Sequence, residues 1–384
     1  MKNYNQGTKI LFPDKILFSR ISLIFAHIST QQIFKTMKLK GWTAVFSRVA
    51  KRSIKIGLYL SGIGSFPLFL GNCNPEITNK YQLNPSTNDW TRQPIELNVN
   101  LKDVYFDANQ NGWAVGAYET VFILVGGQTW SLAPITQDNQ SVFRSVFIIN
   151  SSKGWIAGDQ YGSPVKGQIQ YSGIGGSYPI QQKVVSAPLN CVYFTDVNTG
   201  WVAGDAGLVY HTTDGGDNWS QDDMGTTDSI YGLYFVDKTK GWAVTENGGL
   251  FHTYDGTSWK QEESGVTSDL NSIQFTDSLH GWICGDRNTI LVGTANPGGG
   301  LQWVKDSVAT EVPSMKWKDI FFINPSTGWV IGQFQHIYKT EDGGTTWNQE
   351  TVDEAGELNA IFMVSATKGW VVGDEGTMLT YTPK

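Results

Sequence analysis

Residues 189–219 read LNCVYFTDVNTGWVAGDAGLVYHTTDGGDNW, and this stretch contains one complete repeat of the chain. Within residues 89–384 its central pair, Gly200-Trp201, recurs with glycine at positions 112, 154, 241, 281, 328 and 369. The steps between successive pairs are 42, 46, 41, 40, 47 and 41 residues. Self-similarity at such a period is typical of architectures in which each repeat is one supersecondary unit. The chain therefore contains seven copies of one unit.

Each Gly-Trp pair begins the second of four predicted strands. A run of the form apolar-x-x-apolar-x-apolar precedes it, as in Leu189, Val192 and Phe194, and turn-forming residues fill the interval. Because the interval has the same length in every copy, the two runs predict a hairpin of fixed register. A third strand and an Asp-Gly-Gly turn leading to another tryptophan follow. Four short strands in ~40 residues predict one blade of a β-propeller.

The two ends of the repeat array predict a closed ring. The seventh repeat stops after its third strand, Thr377–Tyr381, and an orphan tryptophan, Trp90, precedes the first repeat. We expect the strand near Trp90 to complete the last blade, because joining the ends removes exposed sheet edges. The predicted fold is an all-β, seven-bladed β-propeller of four-stranded blades over residues 89–384.

Charge divides the chain into two parts. Residues 1–73 contain 11 Lys and Arg and one acid, whereas residues 74–384 contain 17 Lys and Arg and 34 Asp and Glu. An acidic ring repels phosphate backbones and anionic lipid headgroups. We therefore exclude nucleic acid as a partner, and we exclude membrane binding driven by the charge of the ring.

The N-terminal part has the pattern of an export signal. A basic cluster at 51–55 precedes an apolar stretch over 56–70, which is shorter than the ~20 residues that span a bilayer. The end of this stretch, Leu70-Gly-Asn-Cys73, resembles a bacterial lipobox, which implies cleavage before Cys73 and acylation of that cysteine. Plain secretory cleavage and an uncleaved anchor are the alternatives.

We therefore expect a signal or targeting segment over residues 1–73, for which Met37 is an alternative start. The polar residues 74–88, rich in Pro and Asn, are expected to form a flexible tether to the ring. The protein is then exported and held at the bacterial cell envelope by a lipid anchor, on the periplasmic side or at the surface.

Most of the conspicuous side chains recur at one place in the repeat, which favours a structural role. The Gly-Trp tryptophans are expected to pack between blades, and they are Trp113, Trp155, Trp201, Trp242, Trp282, Trp329 and Trp370. The aspartates of the Asp-Gly-Gly turns can accept hydrogen bonds from amides of their own turn, and they are Asp214, Asp255 and Asp342. Cys191 and Cys284 fall in non-adjacent blades and are expected to remain free thiols.

Metal and cofactor binding are not predicted. His211 and His252 occupy the same position in successive blades. Two imidazoles from separate blades do not complete a zinc ligand set.

One set of polar residues suggests a binding surface. It follows the second strand of several blades and consists of Asp159, Asp205, Glu246, Asp286, Arg287, Asp374 and Glu375. These turns are expected on one rim near the central channel, where they could form an acidic ring that holds cations or a basic segment of a partner. The alternative is that each acid only starts a tight turn.

Enzymatic signatures are weak. A sialidase needs three arginines that together bind the substrate carboxylate, and a Tyr/Glu nucleophile pair. The whole ring contains only three arginines, Arg92, Arg144 and Arg287. There is no His-Glu-x-x-His, no Gly-x-Ser-x-Gly and no phosphate loop. We therefore predict that the ring is not an enzyme. A glycan-binding or sialidase-like glycoside hydrolase propeller is the alternative.

Two resemblances extend this reading. The Asp-Gly-Gly-x-x-Trp turn is similar to the Asp box of the bacterial neuraminidase repeat. The whole unit, seen best in Leu189–Trp219, Trp317–Trp347 and Leu358–Thr380, resembles that of the photosystem II assembly factor-like propellers. The resemblance covers residues 89–384 and implies a non-catalytic chaperone that docks membrane-protein subunits. The arginine-rich patch described for those factors has no counterpart among three arginines. We expect a monomer that binds or scaffolds a protein partner at the membrane or envelope.

Overall fold

The computed structural model describes three backbone strands within residues 36–60 and most of residues 89–383. Within that second range it leaves out residues 96, 128, 134–139, 151–152, 174–176, 296–299, 307–313, 353–354 and 382. The early strands are β1 (Thr36–Leu39), β2 (Trp42–Arg48) and β3 (Ile54–Leu60), which pair as an antiparallel sheet. In the described residues no helix has the length and apolar character needed to cross a membrane. Cys73 and the predicted tether lie outside the described residues.

Seven four-stranded antiparallel sheets form the propeller, as the sequence predicts. The chain enters at β4 (Trp90–Arg92). Blade 1 consists of β5 (Leu101–Phe106), β6 (Gly112–Gly116), β7 (Thr120–Leu124) and β8 (Trp130–Leu132). Blade 2 consists of β9 (Val142–Asn150), β10 (Lys153–Gln160), β11 (Lys166–Gly173) and β12 (Ser177–Val185). Blade 3 consists of β13 (Leu189–Phe194), β14 (Gly200–Gly204), β15 (Val209–Thr212) and β16 (Ser220–Asp222).

The remaining blades repeat this order. Blade 4 consists of β17 (Ile230–Phe235), β18 (Gly241–Thr245), β19 (Leu250–Thr253) and β20 (Trp259–Glu262). Blade 5 consists of β21 (Leu270–Asp277), β22 (His280–Gly285), β23 (Thr289–Ala295) and β24 (Leu301–Asp306). Blade 6 consists of β25 (Trp317–Phe322), β26 (Gly328–Gly332), β27 (His336–Thr340) and β28 (Asn348–Glu350). Blade 7 consists of β29 (Leu358–Ser365), β30 (Lys368–Gly373), β31 (Met378–Tyr381) and, as its outermost strand, β4.

The ring closes through β4, which confirms the predicted role of Trp90. This strand pairs antiparallel with β31, so that Trp90 lies opposite Tyr381. The Trp90 side chain is fully buried, and its indole Nε1 donates a hydrogen bond of 2.5 Å to Oε2 of Glu350 in blade 6. Innermost strands of neighbouring blades contact each other around the whole ring, including β29 of blade 7 with β5 of blade 1.

The tryptophans of the Gly-Trp pairs lie between blades and are at most 3% exposed. Trp201 stacks on Phe235 of the next blade with ring centroids 3.6 Å apart, and its Nε1 donates to the carbonyl of Gly256 at 2.7 Å. The same stacking joins Trp155 to Phe194, Trp242 to Phe275, Trp282 to Phe322 and Trp370 to Phe106. Each tryptophan therefore supplies the apolar contact of one blade interface, a burial of roughly 150–250 Å² per ring.

In five blades the glycine before the tryptophan is required by a phenylalanine ring from its own blade, and in blade 7 the side chain of Met363 takes the place of that ring. A Cβ built at Gly200 would lie 2.3 Å from the ring of Phe194, which covers the glycine. In blade 2, Ile148 replaces the phenylalanine, and a Cβ at Gly154 has its nearest neighbour at 3.3 Å. The Gly-Trp pair thus places a small residue under the phenylalanine that receives the preceding blade's tryptophan.

Candidate partner-binding face

The turns between the second and third strands surround one end of the central channel. In blades 3, 4 and 6 they are short 3-10 segments, Asp205–Gly207, Glu246–Gly248 and Gln333–Gln335. Each of these turns bonds the residues that lead into the innermost strand of its own blade, as when Asp205 N donates to Pro188 O at 2.9 Å. The turns therefore emerge where the innermost strands begin. We call this side of the ring the mouth face.

The channel behind the mouth face has a volume of about 330 Å³ and is lined by four consecutive residues from each innermost strand. The first residue of each four lies nearest the mouth face. These seven residues, which we call the mouth ring, are Lys102, Arg144, Asn190, Tyr231, Asn271, Lys318 and Asn359.

Asparagines of the mouth ring hold the rim carboxylates and tie blades together. Nδ2 of Asn190 donates to Oδ1 of Asp205 at 2.9 Å and to the carbonyl of Ile230, in the next blade, at 3.0 Å. The same pattern joins Asn271 to Asp286 and Trp317, and Asn359 to Asp374 and Leu101. Three of the rim acids, Asp205, Asp286 and Asp374, therefore also help to hold neighbouring blades together, because they orient asparagines that bond the next blade.

Basic side chains neutralise several of the same acids. Arg144 pairs with Asp159 through two hydrogen bonds of 2.6 and 2.9 Å. Lys102 contacts Asp374 at 3.0 Å, and Lys316 contacts Asp286 at 2.9 Å. The negative charge of the rim carboxylates is thus partly neutralised by basic side chains of the same ring. The net charge of the whole chain does not show this pairing.

Lys318 is the exception among the mouth-ring cations. Within the described residues its amine has no ion pair and no hydrogen bond. Burial lowers the pKa of Lys318, as do the nearby charges of Lys316 and Lys102, while those of Asp286 and Glu357 raise it. An unpaired, half-buried amine at the edge of a channel is a position at which an anionic group of a ligand is stabilised.

The mouth face is polarised, because the cations of the mouth ring lie on one side of it. Blades 6, 1 and 2 contribute Lys318, Lys102 and Arg144 to the mouth ring. Their rim turns expose aromatic rings at Phe334, Tyr118 and Tyr161, which are 64%, 50% and 63% exposed. Blades 3 to 5 instead carry Asp205, Glu246 and Asp286, with exposed Arg287 beside the last. In blade 7, between blades 6 and 1, Asp374 is paired with Lys102 and the exposed Glu375 follows it.

The mouth ring was not identified from the sequence, although a signal for it exists. Its members occupy the second residue of the innermost strand in six blades and the third in blade 2, and each directly follows a buried apolar residue. An alignment of the seven repeats places Lys102, Arg144 and Lys318 in one column with the three asparagines.

The Asp-Gly-Gly turns join third and fourth strands and contact the turns between first and second strands, on the opposite side from the mouth face. Oδ1 of Asp214 accepts from Thr212 Oγ1 at 2.8 Å and from the Asn218 amide at 2.9 Å. These hydrogen bonds, chiefly those from Asn218, lower the pKa of Asp214 to about 2. The contacts of this aspartate are all within its own turn.

The two histidines pair with carboxylates of the outermost strand. Nδ1 of His211 lies 2.7 Å from Asp222, and Nδ1 of His252 lies 2.9 Å from Glu262. No group of three metal-ligating side chains occurs among the described residues. Cys191 and Cys284 are buried free thiols.

The three arginines of the ring are distributed over three blades. Arg92 lies on the outermost strand of blade 7 and donates to the carbonyl of Glu375 at 3.0 Å. Arg144 lies on the innermost strand of blade 2, and Arg287 lies in the rim turn of blade 5. They do not form the arginine trio that a sialidase requires.

Comparison with known proteins gives one consistent result. The family model described as "Photosynthesis system II assembly factor YCF48" matches residues 83–161 and 302–383. The chain resembles the photosystem II assembly factor-like seven-bladed propellers. A curated relative, the "Photosystem II assembly lipoprotein Ycf48" of Synechocystis sp., is 34% identical over 97 residues, or 22% of this chain and 28% of that protein. The protein of the same name from Nostoc sp. is 23% identical over 308 residues, or 78% and 89%.

Solved structures of the family share the fold of this propeller. "YCF48 bound to D1 peptide" matches with a TM-score of 0.64 at 21% identity and covers 78% of this chain and 96% of its own. "YCF48 from Cyanidioschyzon merolae" matches with a TM-score of 0.63 at 20% identity and covers 76% and 98%. At these identities the match supports the architecture alone.

Proposed function

We propose that this photosystem II assembly factor-like ring is a non-catalytic, exported scaffold that binds a protein partner on its mouth face. The observation that carries the proposal is the polarised mouth face, in which the unpaired amine of Lys318 lies beside Lys102 and exposed aromatic rings. This surface suits a segment that places a carboxylate at the mouth ring and apolar side chains against Phe334 and Tyr118. Charge pairs of this kind accelerate encounter and fix register, while aromatic contacts supply affinity.

The comparisons support a peptide-like partner. A structural neighbour is described as bound to a D1 peptide, and we propose that a segment of a membrane-protein subunit is also the partner here. The proposed site comprises Asp159, Asp205, Glu246, Asp286, Arg287, Asp374 and Glu375 with the mouth ring that they surround. The scattered arginines support a role without chemistry of its own. Turnover of a sialoside by the purified chain would contradict that part of the proposal.

A single lysine gives the direct test. Binding of the D1 peptide, and of a short glutamate-rich peptide with apolar flanks, is measured by fluorescence anisotropy at low salt. Lys318→Gln is expected to weaken binding about fivefold, because one partly buried charge contact contributes about 1 kcal/mol. Lys260→Gln, on the exposed outermost strand of blade 4, is the control and should leave affinity unchanged. Equal affinity for both variants and the wild type would refute the assignment of the mouth face.

We further propose that Cys73 carries the lipid anchor. The names of the curated relatives, which include the word lipoprotein, support this proposal. Labelling of the expressed full chain with a fatty-acid analogue should mark the wild type and not Cys73→Ala. Label retained in Cys73→Ala would refute the anchor.

A further inference from the structure

The end of the channel opposite the mouth face is lined by aromatic rings. The fourth channel-lining residue of each innermost strand lies there, three positions along the strand from the mouth-ring residue. These residues, which we call the belt, are Tyr105, Phe147, Tyr193, Tyr234, Gln274, Phe321 and Phe362. Six of the seven are aromatic, although the position is only partly buried in most blades.

The belt rings touch one another in an almost closed arc. Centroid distances are 4.5 Å for Tyr105 to Phe147, 5.0 Å for Phe147 to Tyr193, 5.0 Å for Tyr193 to Tyr234, 4.9 Å for Phe321 to Phe362 and 4.8 Å for Phe362 to Tyr105. Gln274 interrupts the arc. Its side-chain amide is held by the backbone of Phe322, with hydrogen bonds of 2.8 and 3.0 Å.

Two open cavities give access to the belt from this side. One, of about 470 Å³, is lined by Tyr105, Phe147 and Ile149 together with the turn at Val197. The other, of about 420 Å³, is lined by Tyr193, Tyr234 and Val236. The aromatic arc therefore has accessible surface at the floor of two depressions. A structural role in blade packing does not require that exposure.

Carboxylates lie on both sides of the belt. Toward the channel, Asp103 and Asp319 precede Tyr105 and Phe321 by two residues, and each keeps some exposure to the channel while accepting a backbone N–H of the next blade. Toward the cavities lie Asp107, Asp196, Asp237 and Asp277, and Lys238, which lines the second cavity, pairs with Asp196. The mouth-ring cations Lys102, Arg144 and Lys318 are farther away, and the first two are paired with acids.

We propose that the belt and its two cavities form a second docking site, specific for a lysine or arginine side chain carried on an apolar segment of a protein partner. The faces of aromatic rings attract cations, and the carboxylates beside the two cavities add to that attraction. The flanking apolar residues of the segment fill the cavities against Ile149 and Val236. The site is independent of the mouth face and binds the opposite charge.

The test compares two fluorescent peptides on the full chain, one of alternating leucine and arginine and one of alternating leucine and glutamate. Only the basic peptide is expected to bind at the belt. Tyr234→Leu and Phe321→Leu keep an apolar side chain, somewhat smaller than the original, and remove a ring face, and each should weaken binding about three- to fivefold. Tyr234→Phe restores the ring face and should bind like the wild type. Near-UV circular dichroism of each variant checks that the ring is folded.

Lys318→Gln separates this proposal from the one for the mouth face. It should leave affinity for the basic peptide unchanged while it weakens affinity for the acidic peptide. Basic-peptide affinity that is the same in wild type, Tyr234→Leu and Phe321→Leu would reflect attraction to the acidic ring alone and would overturn the belt site. Loss of basic-peptide binding in Lys318→Gln would also overturn it.

Discussion

Removal of the Trp90 indole should destabilise the ring more than removal of an equivalent tryptophan elsewhere. Trp90 is fully buried at the junction between the N-terminal strand and the last blade. Its ring centroid lies 4.8 Å from that of Tyr381, and its Nε1 bonds Glu350. Trp90→Ala loses this packing and leaves a half-buried carboxylate without its main donor, at a cost of about 3–5 kcal/mol in the free energy of unfolding.

Trp219 is the matched control, because it directly precedes β16, the outermost strand of blade 3, whereas Trp90 begins β4, the outermost strand of blade 7. Trp219 is only partly buried and its loss leaves the ring closed. We therefore expect Trp219→Ala to cost about half as much, roughly 2 kcal/mol. Trp90→Ala should also expose the edge of β31, because the short strand β4 loses its one fully buried side chain.

Urea unfolding followed by tryptophan fluorescence measures both effects, and limited proteolysis reports the release of the strand. Cleavage of Trp90→Ala is expected near residues 89–93 before the rest of the ring is degraded. Equal losses of stability in Trp90→Ala and Trp219→Ala, with no early cleavage, would refute the role of Trp90 in ring closure.

Two further predictions concern the channel and the Gly-Trp pairs. Burial raises the pKa of Asp103 to about 7 and that of Asp319 to about 6. Because the folded ring then holds these protons more tightly than the unfolded chain, the free energy of unfolding should fall as the pH rises from about 4 through about 7. Measured as the urea midpoint of unfolding at several pH values, the decline should be shallower in Asp103→Asn. The control, Asp217→Asn at an exposed position, should decline like the wild type. An identical decline in both variants would contradict the raised pKa of Asp103. Gly200→Ala should cost roughly 1–3 kcal/mol, because its methyl group meets Phe194 at 2.3 Å, whereas Gly154→Ala, with Ile148 in that place, should cost less than half as much in the same assay.

The repeat made the fold predictable, because each blade interface uses the same contact. A tryptophan at a constant spacing from a phenylalanine requires the same packing in each copy, and a glycine is needed wherever that phenylalanine lies over the backbone. The orphan Trp90 predicted ring closure for the same reason. Blade 2 lacks the Asp-Gly-Gly-x-x-Trp motif, and its third and fourth strands, β11 and β12, are longer than the corresponding strands of the other blades.

The candidate site was predicted only in part. The position of the rim followed from the turns after the second strands. The charge of the mouth face did not follow, because it depends on which cations lie beside which acids. Lys102 and Asp374 are 272 residues apart in the chain and 3.0 Å apart in space.

The sequence alone determined the number of blades, the closing strand and the side of the ring on which the rim lies, since these follow from local periodicity and from side chains that recur in every copy. Only the tertiary structure decided how charge is distributed over the two ends of the channel. That distribution arises when innermost strands from seven distant stretches are placed side by side, so that residues in one column of the repeat become neighbours around a ring. The polarised mouth face and the aromatic belt are both products of that arrangement.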